Sequence, residues 1–310
     1  MIERALAELR RGYVVGLPTE TVYGLAADAR RADAVEMIFA LKGRPSTNPL
    51  IVHVADTEAA RRCAADWPAA AEKLAAAFWP GPLTIVVRRN DLIPPVVTAG
   101  GPTVGLRVPA HPLALDLLRR FDGPLAAPSA NRSNRVSPTT ARHVRDEFGD
   151  SVPVVLDGGP CRVGIESTVV DVTGDLIKVL RPGHITLAQI EAVLRVSDAA
   201  DSQTFEELTA RAGASDVLKS PGQFPVHYAP RTPAYRFEAH QRQGIDLTNA
   251  VVLEPTLDAA AYARNLYARL RLLDTQDLDA IYIELPPDVP AWAAVRDRLL
   301  RATRPLPRTP

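Results

Sequence analysis

The chain has 310 residues, 46% hydrophobic and 23% charged, with 36 basic and 36 acidic side chains. That composition excludes a disordered chain, and the length suits roughly two domains at about 150 residues each, or one large α/β domain. No apolar run approaches the roughly 18 residues that span a bilayer, and the N-terminal MIERALAELRRG lacks the unbroken apolar stretch of a signal peptide. Two cysteines, Cys63 and Cys161, neither in a CxxC pair, give no disulfide framework and no structural zinc site. A soluble protein of the cytoplasm, without membrane association, is the expectation.

The neutral total argues against a surface that coats nucleic acid throughout. Charge is nevertheless uneven: between Arg88 and Arg145 nine arginines stand against three aspartates. Such an excess suits an anionic ligand such as a nucleotide, and it equally suits solvated helix faces. Lysine is rare, at four positions only (Lys42, Lys73, Lys178, Lys219). A lysine inside a motif is therefore informative, because a compact ammonium differs chemically from a guanidinium fork.

In chain order, IERALAELR has helical spacing and YVVGL reads as a strand. RADAVEMIFALKG predicts a helix and LIVHV a strand. TEAARRCAA and PAAAEKLAAAF predict helices, LTIVVRR and TVGLRV strands. PLALDLLRRF and PTTARHVRDEF predict helices, with PVVLD, STVVDV and LIKVLRP as later strands. Several strands follow one another without a helix, so a mixed sheet is expected. From Ser197 the apolar content drops, and SDAADSQTFEELTARAGASD reads as a linker or a weakly packed helix. The proline-dense SPGQFPVHYAPRTP enforces extended backbone. AYRF, AVVLE, a helix from about Leu257 to Leu273, AIYIEL and a final helix near 291–302 then make a small α/β unit, which should lean on the first domain. The C-terminal RATRPLPRTP should fray.

Walker loops, GxGxxG, GxSxG and HExxH are all absent. Polar clusters instead end the apolar strands. LPTETVYGL places two threonines, a carboxylate and a phenol where ligand sites gather in α/β sheets, although Thr19 or Thr21 could simply cap a helical turn. In ALKGRPSTNPLIVHV, Lys42 and Arg44 flank a glycine at a helix end, followed by Asn48 and His53. Arg107 lies in an apolar strand, where a guanidinium needs a partner or an anionic ligand, with Thr103 on the same face. PSANRSNRVSPTT is rich in hydroxyls and amides; the helix start at SPTT could hold a phosphate, or the loop could be an ordinary turn. Ser167 and Thr168 open a strand in GIESTVVDV, and Arg181 closes the next. Carboxylates inside these motifs are few, Glu20 and Glu166 among them, which suits an anionic substrate better than paired-carboxylate chemistry.

In this order and spacing, LPTETVYGL, KGRPSTNPL, GLRVP, PSANRSNRVSPT, ESTVVDV and LRPG resemble the YrdC superfamily. HYAPRTP followed by a small α/β unit resembles its two-domain branch, the threonylcarbamoyl-AMP synthases. The resemblance implies an α/β fold: a YrdC-like twisted mixed open sheet over 1–195, a linker over 196–232 whose HYAP motif closes over the site, and a small Rossmann-like α/β domain over 233–310. It implies a nucleotidyltransferase that makes threonylcarbamoyl-AMP and pyrophosphate from L-threonine, bicarbonate or CO2, and ATP, for N6-threonylcarbamoyladenosine in tRNA. By the same resemblance Thr21, His53, Arg107, Ala127 and Ser167 contact threonine. Arg44, Asn48, Thr103, Ser129, Ser137, Arg181 and Tyr228 contact ATP, and Lys42 and Arg44 stand beside the reacting groups. No side-chain metal ligand is implied, and Mg2+ would arrive with ATP. The implied partners are the downstream tRNA-modifying transferase complex and, weakly, tRNA itself. Asn134 departs from the pattern where a glycine is usual, and GQFPVHYAP replaces a more basic linker. The competing readings are a non-catalytic module that binds double-stranded RNA or tRNA, and a carbamoyltransferase like the related domains of hydrogenase maturation.

Overall fold

The computed structural model describes residues 1–195, 205–207, 227–243, 245 and 247–306. Ala5, Leu6 and Leu9 turn inward from α1 (Ile2–Arg11), which stops on Gly12 in the left-handed region. There follow β1 (Val15–Leu17), β2 (Gly24–Asp28), α2 (Ala32–Lys42), β3 (Ile51–His53), α3 (Thr57–Arg61), α4 (Ala69–Phe78), β4 (Leu83–Arg88), β5 (Thr103–Arg107) and α5 (Pro112–Phe121). The first unit continues through β6 (Leu125–Ala126), α6 (Ala141–Phe148), β7 (Thr168–Asp171), β8 (Ile177–Arg181), α7 (Leu187–Arg195) and β9 (Phe205–Glu207). These strands form one sheet in the order β1-β2-β6-β3-β5-β4-β7-β8-β9. β3–β5, β4–β7 and β8–β9 pair parallel and the other neighbours antiparallel, so the sheet is mixed, as the strand succession predicts. Strands such as β4, buried on both faces along LTIVV, read as continuous apolar runs because helices cover the sheet.

Three local expectations need correcting. PVVLD is not a strand but a single parallel bridge, Val155 to Gly16: β1 is three residues long and offers Gly16 alone between the Val154 carbonyl and the Leu156 amide. Conversely β2 and β6 have little local signal, being alanine-rich and two residues long respectively, and owe their strand form to pairing, β2 with β1 and β6, and β6 with β2 and β3. Within 197–216, Phe205–Glu207 extends the sheet beside β8 rather than forming a helix. The rest of that segment, 220–226 of the proline-dense stretch and 307–310 of the C-terminal tail lie outside the described residues.

The second unit comprises β10 (Ala234–Phe237), β11 (Ala250–Leu253), α8 (Ala259–Leu273), β12 (Ala280–Glu284), α9 (Ala293–Ala302) and β13 (Arg304–Pro305). Its sheet, β11-β12-β10-β13, is wholly parallel. It shares a core with the first unit: Val22, Val136 and Ile165 pack in one cluster with Tyr228, Tyr262, Leu266, Tyr267 and Leu299. The loop before β7 approaches α8 so closely that a Cβ on Gly164 would lie 2.4 Å from the Arg264 backbone, and Gly164 also has φ +83. Gly164→Ala is therefore expected to push α8 off this loop and cost about 2–3 kcal/mol of unfolding free energy. Denaturant unfolding reads the shift, and an unchanged midpoint would contradict this packing.

Candidate active site

The polar motifs meet at one edge of the large sheet. Register brings His53 opposite Arg107, Leu83 opposite Thr168, Val169 opposite Arg181 and Leu17 opposite Gly24, so strand ends from distant parts of the chain share this edge. The cavity there is lined by Thr19, Thr21, Arg44, His53, Arg107, Ala127, Ser129, Glu166, Ser167, Arg181, His227 and Tyr228 among others. It encloses only about 40 Å³. Small-molecule sites run to roughly 300–1,000 Å³, and this cavity falls well below that range, with Tyr228 and His227 buried against its wall.

On one side Arg107 projects from the end of β5. Its Nη2 donates to Glu20 Oε1 at 2.7 Å, Nη1 to Thr21 Oγ1 at 2.9 Å and Nε to the Gly81 carbonyl at 3.2 Å. The second Glu20 oxygen accepts from the Ala110 amide at 3.0 Å. Both partners are almost wholly buried, so this is a desolvated pair in which each charge depends on the other. Thr19 closes the turn before β2: its hydroxyl accepts from the Thr21 and Val22 amides and donates to the Val22 carbonyl, capping no helix. His53 stands next to Arg107 across the β3–β5 pair, and its Nδ1 is buried without a hydrogen-bond partner. Burial, reinforced by the Arg107 charge, pushes its pKa down to about 3, so the imidazole is neutral.

On the opposite side, Lys42 and Arg44 form no ion pair among the described residues, while Arg181 lies close enough to Glu166 for their charges to interact. α2 ends at Lys42 on Gly43 in the left-handed region, which turns the chain back and buries both Lys42 and Arg44. Arg44 Nη2 donates to Asn48 Oδ1 and to the Pro49 carbonyl at 2.9 Å, and Nε to the Asn48 carbonyl at 3.3 Å. Lys42 Nζ donates to the Ser129 and Asn131 carbonyls. Desolvation lowers both pKa values, Lys42 well below the ordinary lysine value and Arg44 to about 9. Arg181 donates to the Ser167 carbonyl at 3.0 Å and hydroxyl at 3.1 Å. Ser137 donates to Glu166 Oε1 at 2.6 Å. Burial alone would raise the Glu166 pKa; the Arg298 and Arg181 charges and the Ser137 hydrogen bond instead hold it down to about 2.

Of the sequence-derived candidates, Thr21, Arg44, His53, Arg107, Ala127, Ser129, Ser167, Arg181 and Tyr228 line the cavity. Lys42, Asn48 and Ser137 do not; each stands one hydrogen bond behind a lining residue. Thr103 shares Arg107's face but starts β5 opposite Arg88, four residues from the cavity end of the strand. The α6 N-terminus, offered by SPTT as an anion site, is absent from the lining, and the Thr140 hydroxyl caps its His143 amide. Asn134 adopts φ 64, the left-handed conformation that asparagine tolerates, and its carbonyl accepts from the Ala229 amide. Glu20 and Glu166 complete the site although the motif reading assigned them no role, the scarcity of acids in the motifs being the available signal; His227, which that reading placed only within the closing HYAP motif, also lines the cavity.

The neutral histidines have a consequence for stability. Burial lowers His227, like His53, to about 3. An unfolded chain takes up these protons near pH 6.5 and the folded chain does not. Stability is therefore full above about pH 6.5 and falls as pH drops toward 3, by about 1.4 kcal/mol per pH unit for each histidine. His143, half-buried, is lowered by burial to about 4 and adds to the same loss, so urea unfolding at pH 7, 6 and 5 is expected to show a loss of roughly 3–4 kcal/mol over the last step, before Glu166 begins to titrate. A flat profile would show that these rings are protonated in the fold.

The comparisons with known proteins agree with this architecture. A family model described as "Telomere recombination", named for Sua5, YciO and YrdC, matches residues 7–183, and "Threonylcarbamoyl-AMP synthase, C-terminal domain" matches 185–303. The chain is 37% identical over 328 residues to a threonylcarbamoyl-AMP synthase of Pyrococcus abyssi, covering 97% of this chain and 94% of that protein. For the Bacillus subtilis protein of the same name the identity is 38% over 333 residues, covering 97% and 92%. The crystal structure of P. abyssi Sua5 complexed with L-threonine superposes with a TM-score of 0.86 at 35% identity, covering 98% of this chain and 95% of that chain. The chain belongs to the threonylcarbamoyl-AMP synthases, with both domains of the family present.

Proposed function

We propose that the Arg107 side of the cavity holds L-threonine, that the Arg44–Arg181 side holds MgATP, and that bicarbonate or CO2 reacts between them to give threonylcarbamoyl-AMP and pyrophosphate. The observation that carries this reading is the charge imbalance. Among the described residues, Lys42 and Arg44 are bonded to neutral oxygens alone, and a buried cation in that state favours an anionic ligand. A triphosphate supplies the missing charge. Arg107 is matched by Glu20, and three of its five N–H donors are engaged, leaving two for a carboxylate. The free Nδ1 of neutral His53 is available to the threonine hydroxyl, with Thr21, Ala127 and Ser167 around it. Arg44, Asn48, Thr103, Ser129, Ser137, Arg181 and Tyr228 are assigned to the nucleotide, by direct contact or through a neighbour.

In the reaction the threonine amine forms a bond to the carbon of CO2, releasing a proton and leaving a carbamate. A carbamate oxygen then attacks the α-phosphorus as the bond to the β-phosphate oxygen breaks and pyrophosphate leaves. Starting from bicarbonate, one water is also released. Neither step needs a protein nucleophile. The chain's part is positioning and charge neutralisation by Arg44 and Arg181, with Lys42 holding the Ser129–Asn131 backbone in place. Glu20 and Glu166 are both committed to protein donors, so they fit no resident metal ion; Mg2+ enters as part of the substrate MgATP. Tyr228 at φ 64 is strained for a bulky residue, and withdrawal of His227–Tyr228 would open the cavity to substrates. The product is an activated adenylate, and a tRNA-modifying transferase complex, in the cytoplasm, is its proposed consumer.

A non-catalytic RNA-binding role has less support. Of the nine arginines in 88–145, Arg107 is buried in the cavity and Arg120, Arg142 and Arg145 each face a carboxylate. Among the described residues no helix is long and apolar enough to cross a membrane. The test is pyrophosphate release by purified protein with ATP, labelled bicarbonate and L-threonine. Release that requires threonine, together with label in an adenylate, is expected; salt-sensitive tRNA binding without turnover would replace this reading with the RNA-binding one.

A further inference from the structure

The C-terminal unit sends one side chain to the back of the cavity wall. Arg298, near the end of α9, has no solvent exposure. Its Nε donates to Glu166 Oε2 at 2.9 Å and its Nη2 to the Glu166 carbonyl at 3.3 Å. Its Nη1 donates to the Pro182 carbonyl at 3.0 Å and to Asp297 Oδ2 at 2.7 Å. The guanidinium carbon also lies 5.4 Å from the Tyr228 ring centroid. One planar group thus touches the loop that carries Ser167, the turn that follows Arg181, and Tyr228.

The Glu166 carboxylate passes this constraint on. Oε1 accepts from Ser137, while Oε2 accepts from Tyr267 of α8 at 2.9 Å and from Arg298. The two segments have no slack, since a Cβ on Gly183 would lie 2.3 Å from the Thr168 amide. Arg298 does not itself line the cavity, so its influence runs through the groups it holds.

We infer that Arg298 is a positioning residue for the nucleotide half of the site, fixing Ser137, Arg181 and Tyr228 together, so that the C-terminal unit is a working part of the ATP site. This rests on the nucleotide assignment above. A flexible lysine cannot bridge Glu166 and Pro182 as a planar fork does, and an apolar residue bridges neither.

The test combines MgATP and L-threonine titrations by calorimetry with steady-state kinetics on the full chain. Arg298→Met is expected to weaken MgATP binding and raise its KM at least about tenfold, the effect of losing one charge-assisted hydrogen bond's worth of alignment. The threonine KM should stay within about twofold, and Arg298→Lys should fall between the two proteins. Because Arg298→Met leaves Glu166 without its charge partner and could fail to fold, Arg298→Met combined with Glu166→Gln is made alongside. In that protein the melting temperature should recover while ATP affinity stays weak. Arg264→Ala removes an inter-unit hydrogen bond to the Arg162 carbonyl away from the cavity and serves as the docking control. Equal loss of both substrates, recovery of ATP affinity with stability, or the same ATP defect in Arg264→Ala would each overturn the inference. Failure of the wild-type protein to bind MgATP would instead overturn the nucleotide assignment and this inference with it.

Discussion

Replacing Arg107 with alanine is expected to cut threonine-dependent turnover by about a hundred- to a thousandfold, and to destabilise the ligand-free protein at the same time. The activity loss follows from removing the two N–H donors left for a substrate carboxylate. The stability loss follows from Glu20, which keeps the Ala110 amide but loses the guanidinium opposite its charge. Breaking a desolvated pair on one side costs about 3–5 kcal/mol. Glu20→Gln in the Arg107→Ala background should restore most of that stability, since the orphaned charge is gone, and none of the activity. A double-mutant cycle on unfolding free energies, run beside initial rates, separates the two effects. Stability unchanged in the single variant would mean that the pair does not form.

Arg44→Ala is expected to behave in the opposite way. Arg44 already stands in a buried position without a carboxylate, so its removal relieves an uncompensated charge while it strips donors from Asn48 and Pro49. These effects oppose each other, and the free protein should change by less than about 2 kcal/mol. Binding of MgATP should weaken by a hundredfold or more, which corresponds to about 3 kcal/mol and is the worth of one or two charge-assisted hydrogen bonds. MgATP should also lose its ability to raise the melting temperature of the variant, because stabilisation by a ligand follows its affinity for the folded state. The two arginines thus carry different signatures: Arg107 is held by the fold and Arg44 is held for the ligand. A collapse in stability with ATP affinity intact would reverse that assignment.

Much of the site is legible in the sequence because its residues break local rules. An arginine between Leu106 and Val108, a lysine where arginine is the habit, and hydroxyl clusters at strand ends are each out of place in an ordinary core. The cavity collects most of them. What is not legible depends on contacts that no window of sequence contains. Gly24–Asp28 is a strand because Val15–Leu17 lies on one side of it and Leu125–Ala126 on the other, and the latter because it is held between β2 and β3. Arg298 is one of several arginines in RDRLLRA, and its partner Glu166 lies 132 residues earlier. Its role emerges from the packing of α9 on the first unit. Thr103 shows the converse limit: strand alternation places it on the correct face, but four residues of β5 separate it from the cavity end.

The reaction itself is tested most directly by the bond it makes. Purified protein is incubated with MgATP, L-threonine and bicarbonate enriched at carbon, and the carbonyl carbon of the product is followed by nuclear magnetic resonance. The account predicts a carbamoyl resonance split by coupling to phosphorus, present only when all three substrates are supplied, because a carbamate oxygen has displaced pyrophosphate from the α-phosphorus. Threonine-dependent pyrophosphate release with no labelled carbon joined to phosphorus would contradict it, and would mean that the threonine carboxylate, not a carbamate, is the group that attacks ATP.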